Sequence, residues 1–225
     1  MLVCCAMLFA AGPLERGIVS VVAGFMAWTG VQVGLGSDLF LNVPLSFVRI
    51  TMPSHSWIEL LEWMLACAIV VAAMQLLRHV VEAPLRYFIN FNALVVGSEA
   101  TYMLFAGHLG YSIDEFSVLM TRTMVATWVL MPLFVGTIAL LFPFRRLTGV
   151  GLILGCALYE VVLSATRYAA FLGLLSHSGP IMMADLYLVF GPLLDVLPVI
   201  GIYSIVLARL SSRIGNSTSG RWEWL

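Results

Sequence analysis

Long apolar runs separated by short polar punctuation dominate the chain. Six stretches reach about 20 mostly apolar residues, the length a helix needs to cross a bilayer: 17–36, 57–77, 87–107, 116–142, 149–175 and 180–208. Backbone groups in lipid must satisfy one another, so each stretch predicts a helix. Residues 1–14 are apolar but too short to span. They predict an interfacial piece, or part of a first helix broken at Gly12-Pro13. The connection 37–56 is semi-apolar from Leu39 to Ile50 and carries Pro44 and Pro53, which predicts a segment dipping into the interface. Ser56-Trp57-Ile58-Glu59 and Ser112-Ile113-Asp114-Glu115 have the spacing of capping boxes and mark the starts of the second and fourth helices. No internal repeat or linker divides the chain. The expectation is an all-α polytopic transmembrane bundle of about six spanning helices, forming a single integral membrane domain over 1–225.

Composition supports that pattern and removes alternatives. The 225 residues are 61% hydrophobic and only 10% charged, where a soluble domain carries about 25% charged residues. Mean hydropathy is +1.02. The lipid bilayer is therefore the expected surrounding, and a net charge of −1 gives no reason to expect nucleic acid. Cys4, Cys5, Cys67 and Cys156 form no CxxC pair, which argues against a disulfide framework or a zinc site. Arginine placement predicts orientation through the positive-inside rule. Arg16, Arg78, Arg86, Arg145, Arg146, Arg209, Arg213 and Arg221 fall on one side of the six-span layout, and Arg49 and Arg122 on the other. This predicts a multi-pass protein of a bacterial inner (plasma) membrane, with both termini cytoplasmic.

Charges inside spans are costly and often functional. Glu99, Arg122, Glu160, Arg167, Asp185 and Asp195 fall there, most of them in the outer half or near the midplane. Cys156, Glu160, Ser164 and Arg167 align on one helical face. Two readings follow. These groups are interhelical ion pairs that hold the bundle together, or they line a polar cavity open to the outer side. In the second reading Arg167 holds an anionic group, because its planar fork suits a carboxylate or phosphate. The expected binding set is Arg167, Asp185, Tyr187, Ser164, Glu99, Arg122 and Asp195. Asp185 is the acid nearest Arg167 in estimated height. His55, Glu59 and Glu62 share a helical face and could approach His108 and His177, but the capping box already accounts for Glu59, so no metal and no cofactor is expected.

The segment Pro143 to Ser204 resembles the second half of the exosortase/archaeosortase family. Pro143-Phe144-Arg145-Arg146 resembles the family's cytoplasmic turn. Ser164-Ala165-Thr166-Arg167 resembles its arginine motif, with Ser in place of Asn. Asp185 to Gly191 resembles its histidine segment, with Tyr187 in the histidine's place. The family's cysteine is expected near Met120 to Met124, where this chain has none. The resemblance implies a membrane fold with an outer-facing site, and a partner among envelope or exopolysaccharide machinery. The departures imply that cysteine transpeptidase activity is lost. The expected function is therefore non-catalytic binding of a peptide tail or partner helix in an outer-facing polar cleft. A small substrate-binding subunit of a transporter is the second reading, and a membrane enzyme with a displaced site is the third.

Overall fold

The computed structural model describes residues 2–40, 43–107, 110–141, 146–191, 193–195, 197, 200, 201, 204, 205 and 208. The protein is predominantly helical, with α1 (Leu2–Trp28), α2 (Trp57–Leu76), α3 (Ala83–Ala106), α4 (Ile113–Leu141) and α5 (Arg146–Ser178). After α5 the chain makes a 3-10 turn at Gly179–Met182, a short α6 (Met183–Asp185) and a π-helical turn at Leu186–Phe190. Among the described residues, four stretches are long and apolar enough to cross a membrane. They are Phe9–Trp28, Trp57–Leu76, Ile113–Ile138 and Gly149–Asp195, the last taking in α5 and the turn that follows it. This is a membrane protein. α3 has the length of a span but carries Arg86, Asn90, Asn92 and Glu99, and is not among the four.

Both capping boxes form. Ser56 N–H donates to Glu59 Oε2 at 2.8 Å and Glu59 N–H to Ser56 Oγ at 3.3 Å. Ser112 and Glu115 repeat the exchange at 2.6 and 3.2 Å. These bonds satisfy donors that the first turn of a helix leaves free. α3 ends at Gly107, whose φ of +74° is the left-handed cap that glycine adopts without strain.

The first span departs from expectation. α1 begins at Leu2 and runs through Pro13 without breaking, so its membrane stretch starts at Phe9 and not at residue 17. Proline removes one N–H from the ladder, and the Arg16 Nε donates locally to the Gly12 carbonyl at 3.3 Å. Arg16 consequently lies within the helix and not in a flanking loop, which takes it out of the arginine asymmetry.

The larger correction concerns residues 33–50. They form an antiparallel hairpin of β1 (Val33–Phe40) and β2 (Val43–Ile50), with Val33 opposite Ile50 and Phe40 opposite Val43. The expected span 17–36 therefore stops at Trp28, and the expected interfacial connection is a β-hairpin inside the bundle. Leu45 packs with Ala11, Met124, Val125 and Trp128. Val48 and Ile50 pack with Val19, Met26, Phe116, Leu172 and Leu175. These partners belong to three of the four membrane stretches.

A strand at such depth needs partners for its outer edge, because lipid offers none. Alternate residues of an antiparallel strand turn their N–H and C=O away from the neighbouring strand. On β2 these are Pro44, Ser46 and Val48. Pro44 has no N–H. Ser46 N–H donates to Glu15 Oε1 at 2.8 Å, and Val48 N–H to the Tyr168 hydroxyl oxygen at 2.9 Å. Gly36 is required opposite β2, since a Cβ there would enter the Phe47 ring.

Candidate functional site

The seven expected binding residues do not form one site. Their bonds divide them among separate groups. Arg167 lies on α5, is 5% exposed, and donates from NH1 to the Gly191 carbonyl at 2.9 Å and to Asp195. Its partner is Asp195 and not Asp185. The reason is the turn after α5. Arg167 lies 11 residues before Ser178, about 17 Å at helical rise, and Asp195 lies 12 residues after Met183, about 18 Å. Counting the 3-10 turn as the crossing point matches those two heights. Glu160, fully buried two helical turns earlier on α5, interacts electrostatically with both Asp195 and Arg167. Its two carboxyl oxygens have no hydrogen-bond partner among the described residues. Arg167 is thus paired with the protein's own carboxylate, Asp195.

Ser164 is occupied as well. Its Oγ accepts from the Trp128 indole N–H at 2.7 Å and donates to the Val161 carbonyl at 3.1 Å, fastening α4 to α5. Arg122 reaches the hairpin, donating from Nε and NH2 to Asp38 Oδ2 at 3.1 and 2.5 Å. Its guanidinium also sits 5.9 Å from the Phe40 ring centroid.

Glu99 and Asp185 stand apart from these closed arrangements. Glu99 projects from α3 and is 7% exposed; Asp185 ends α6 and is 2% exposed. Glu99 Oε1 accepts from the Tyr111 hydroxyl at 2.5 Å and from the Ala184 N–H at 3.1 Å. Those bonds tie the chain after α5 to the end of α3. Burial, reinforced by the Glu99 carboxylate, pushes the Tyr111 hydroxyl pKa up, so it stays a donor. Glu99 Oε2 and Asp185 Oδ1 are buried without a partner among the described residues, and the two acids interact electrostatically.

A cleft of about 310 Å³ opens beside Glu99, lined by Ser98, Tyr102, Gly110, Tyr111 and Ala184. A narrower apolar recess of about 230 Å³ shares Tyr111 and Ala184 with it and is lined by Tyr187, Leu188 and Leu119. Of the expected residues, Glu99 lines the cleft and Tyr187 the recess beside it, while Asp185, 2% exposed, lines neither. Arg167, Asp195, Ser164 and Arg122 take no part in lining either.

Comparison of the chain with protein-family models, with curated proteins and with solved structures finds no match. The site must be read from its own chemistry. Two buried carboxylates, each with an unused oxygen, can accept hydrogen bonds from a cationic or N–H-bearing group. His55, Glu59, Glu62 and His177 line a separate pocket of about 410 Å³ at the start of α2. There the His55 imidazole Nε2 bonds the Ser178 carbonyl oxygen at 2.8 Å and Nδ1 lies 3.4 Å from Glu59. Among the described residues no group of three or more His, Cys, Asp or Glu side chains is placed to hold a metal ion, and His108 lies outside them.

Three participants carry little or no signal in the sequence. Glu15 is hidden when the first span begins at residue 17; with Leu2–Trp28 as one helix it becomes the lone acid in that span. Tyr111 falls in a loop and has no sequence signal. Tyr168 looks like an ordinary core aromatic, and only its bond to a strand 120 residues away gives it a role.

Proposed function

We propose that this is a multi-pass membrane protein of exosortase-like architecture that has no cysteine transpeptidase activity and binds a peptide tail or partner helix at the cleft beside Glu99, with Asp185 buried close to that carboxylate. The observation that carries this reading is the pair of unused buried oxygens, Glu99 Oε2 and Asp185 Oδ1. Asp195 gains its partner from Arg167 within the fold, and Glu15 and Glu160, which also keep unpartnered oxygens among the described residues, do not line the cleft; Glu99 does. Acids left open beside a cleft suit a ligand that brings the missing donor. The segment recognised is accordingly one bearing a basic side chain or a free amino group. Recognition by Arg167 would require the opposite sign.

The proposal includes six spans, the two beyond the four apolar stretches being α3 and the chain after Gly179. It also includes a bacterial inner membrane, cytoplasmic termini and a partner in the envelope. Reporter fusions at Gly179 and Leu225 test the orientation: they should report opposite compartments, outside and inside, and a common compartment would refute it.

A photo-crosslinking residue at Tyr102 in the full chain tests the binding reading. A discrete polypeptide adduct is expected, and Glu99→Gln or Asp185→Asn should reduce it at least tenfold. An adduct indifferent to both changes, or none, would overturn the cleft as the binding site. Changing Cys4, Cys5, Cys67 and Cys156 together to Ala should leave the adduct intact, since no step here uses a thiol.

A further inference from the structure

Among the described residues the hairpin leaves one edge open. Ser46 and Val48 turn their N–H groups outward to Glu15 and Tyr168. Their opposite residues, Ser37 and Leu35, must therefore also point away from the ladder, and so must Val33 and Leu39 by alternation. β1 thus presents a row of backbone N–H and C=O groups on the side away from β2. Among the described residues the sheet has only two strands. Among the described residues, the one side-chain bond to this row is from Arg122 Nη2 to the Leu39 carbonyl at 3.4 Å. Leu35 and Leu39, on one face of the strand, are 61% and 66% exposed.

The depth of the row is fixed by its neighbours. Asp38 bonds Arg122, nine residues into α4 and about 14 Å below its start at helical rise. An open sheet edge is not tolerated in hydrocarbon. The row consists of partial charges of alternating sign at strand spacing, and the group that complements it throughout is another extended backbone. The side of a helix has no free N–H to offer, and an acyl chain has no donor or acceptor.

We infer that the outer edge of β1, from Val33 to Leu39, docks an extended segment of a partner polypeptide, which adds as a third strand within the membrane-spanning region. The segment has no proline at its ladder positions and carries apolar side chains on the face shared with Leu35 and Leu39. This goes beyond the cleft reading and stands on different residues.

Photo-crosslinking residues placed singly at Leu35 and Leu39 of the full chain in its native membrane provide the test. Moving the probe by four residues moves it about 13 Å along a strand. The crosslinked positions on the partner should therefore differ by four residues if it is extended, against roughly nine if it is helical. Ser37→Pro removes an outward N–H while leaving the bonds to β2, so it should cut both adducts at least tenfold with the melting temperature unchanged. If that variant fails to accumulate, the four-residue register still decides. A nine-residue displacement, adducts with lipid alone, adducts with a second copy of this chain, or no adduct would each overturn the inference. Glu99→Gln leaves β1 untouched. Loss of the Tyr102 adduct with retention of the Leu35 adduct, or the reverse, separates failure of one site from failure of the other.

Discussion

Arg167 and Glu99 each place an ionisable group inside the helical bundle, but their surroundings differ in kind. Around Arg167 the protein supplies its own counter-charge: Asp195 pairs with it, the Gly191 carbonyl takes a further N–H, and Glu160 places a second carboxyl group nearby. Around Glu99 the protein supplies donors for one oxygen only, from the Tyr111 hydroxyl and the Ala184 N–H, and the other carboxyl group that interacts with it, Asp185, offers no opposite charge. The Arg167–Asp195 pair is closed and holds the chain after α5 to α5. The Glu99 arrangement is open beside a cleft. The same residue types at comparable sequence positions thus carry different meanings, and the difference lies in who completes the hydrogen bonding. A buried carboxylate the fold completes is structural; one left half finished beside a cleft is available.

Removing the basic member of the closed arrangement should have the largest effect on stability. Arg167→Leu orphans Asp195 and should cost roughly 3–5 kcal/mol, read as a lower melting temperature in detergent. Adding Asp195→Asn should recover most of the loss, and Asp185→Asn none; recovery through Asp185 would break the division drawn here. Glu15 is a further buried acid: its Oε1 accepts from the Ser46 N–H, its Oε2 has no partner among the described residues, and it does not line the cleft. Glu15→Ala should cost about 1–3 kcal/mol by stranding that amide, and Glu15→Gln, which keeps an acceptor, clearly less. Equal losses would mean that the bond is unimportant. Trp128→Phe deletes the indole bond to Ser164 while keeping most of the ring, and about 0.6 kcal/mol is expected from bonds of this type between membrane helices. The smallest stability change belongs to the open pair. Glu99→Gln and Asp185→Asn should each shift stability by less than about 1 kcal/mol while abolishing binding at the cleft. A melting loss as large as that of Arg167→Leu would show the two regions to be of one kind.

Local chemistry makes part of this legible in the sequence. The capping boxes at Ser56 and Ser112 involve residues three apart, so the amino-acid order alone identifies both. The apolar stretches of α1, α2, α4 and α5 follow from composition and length, although a break expected at Pro13 sets the start of α1 too late. The hairpin is not legible. Residues 33–50 mix Val, Leu, Phe and Gly in an order that fits an interfacial segment as well as a strand, and the groups that stabilise it, Glu15 and Tyr168, come from α1 and α5. The candidate cleft is half legible. Glu99, Asp185 and Tyr187 stand out as polar groups in apolar runs, but only the turn at Gly179–Met182 decides which acid meets Arg167, and a turn of that type leaves little trace in an apolar sequence.

The hairpin also constrains the order in which the molecule is assembled. Val48 leaves the ribosome 120 residues before Tyr168, a delay of roughly 6–24 s at ordinary rates of synthesis. Arg122 and Trp128 also follow the hairpin in the chain. During that interval the Val48 amide has no protein partner, and hydrocarbon would not tolerate it. The two strands must therefore wait in water or within the insertion machinery until α4 and α5 have arrived, and slide between them afterwards. Insertion of this protein is not a simple succession of helices threaded in chain order: an early segment enters late, and α5 must be in place before it can settle.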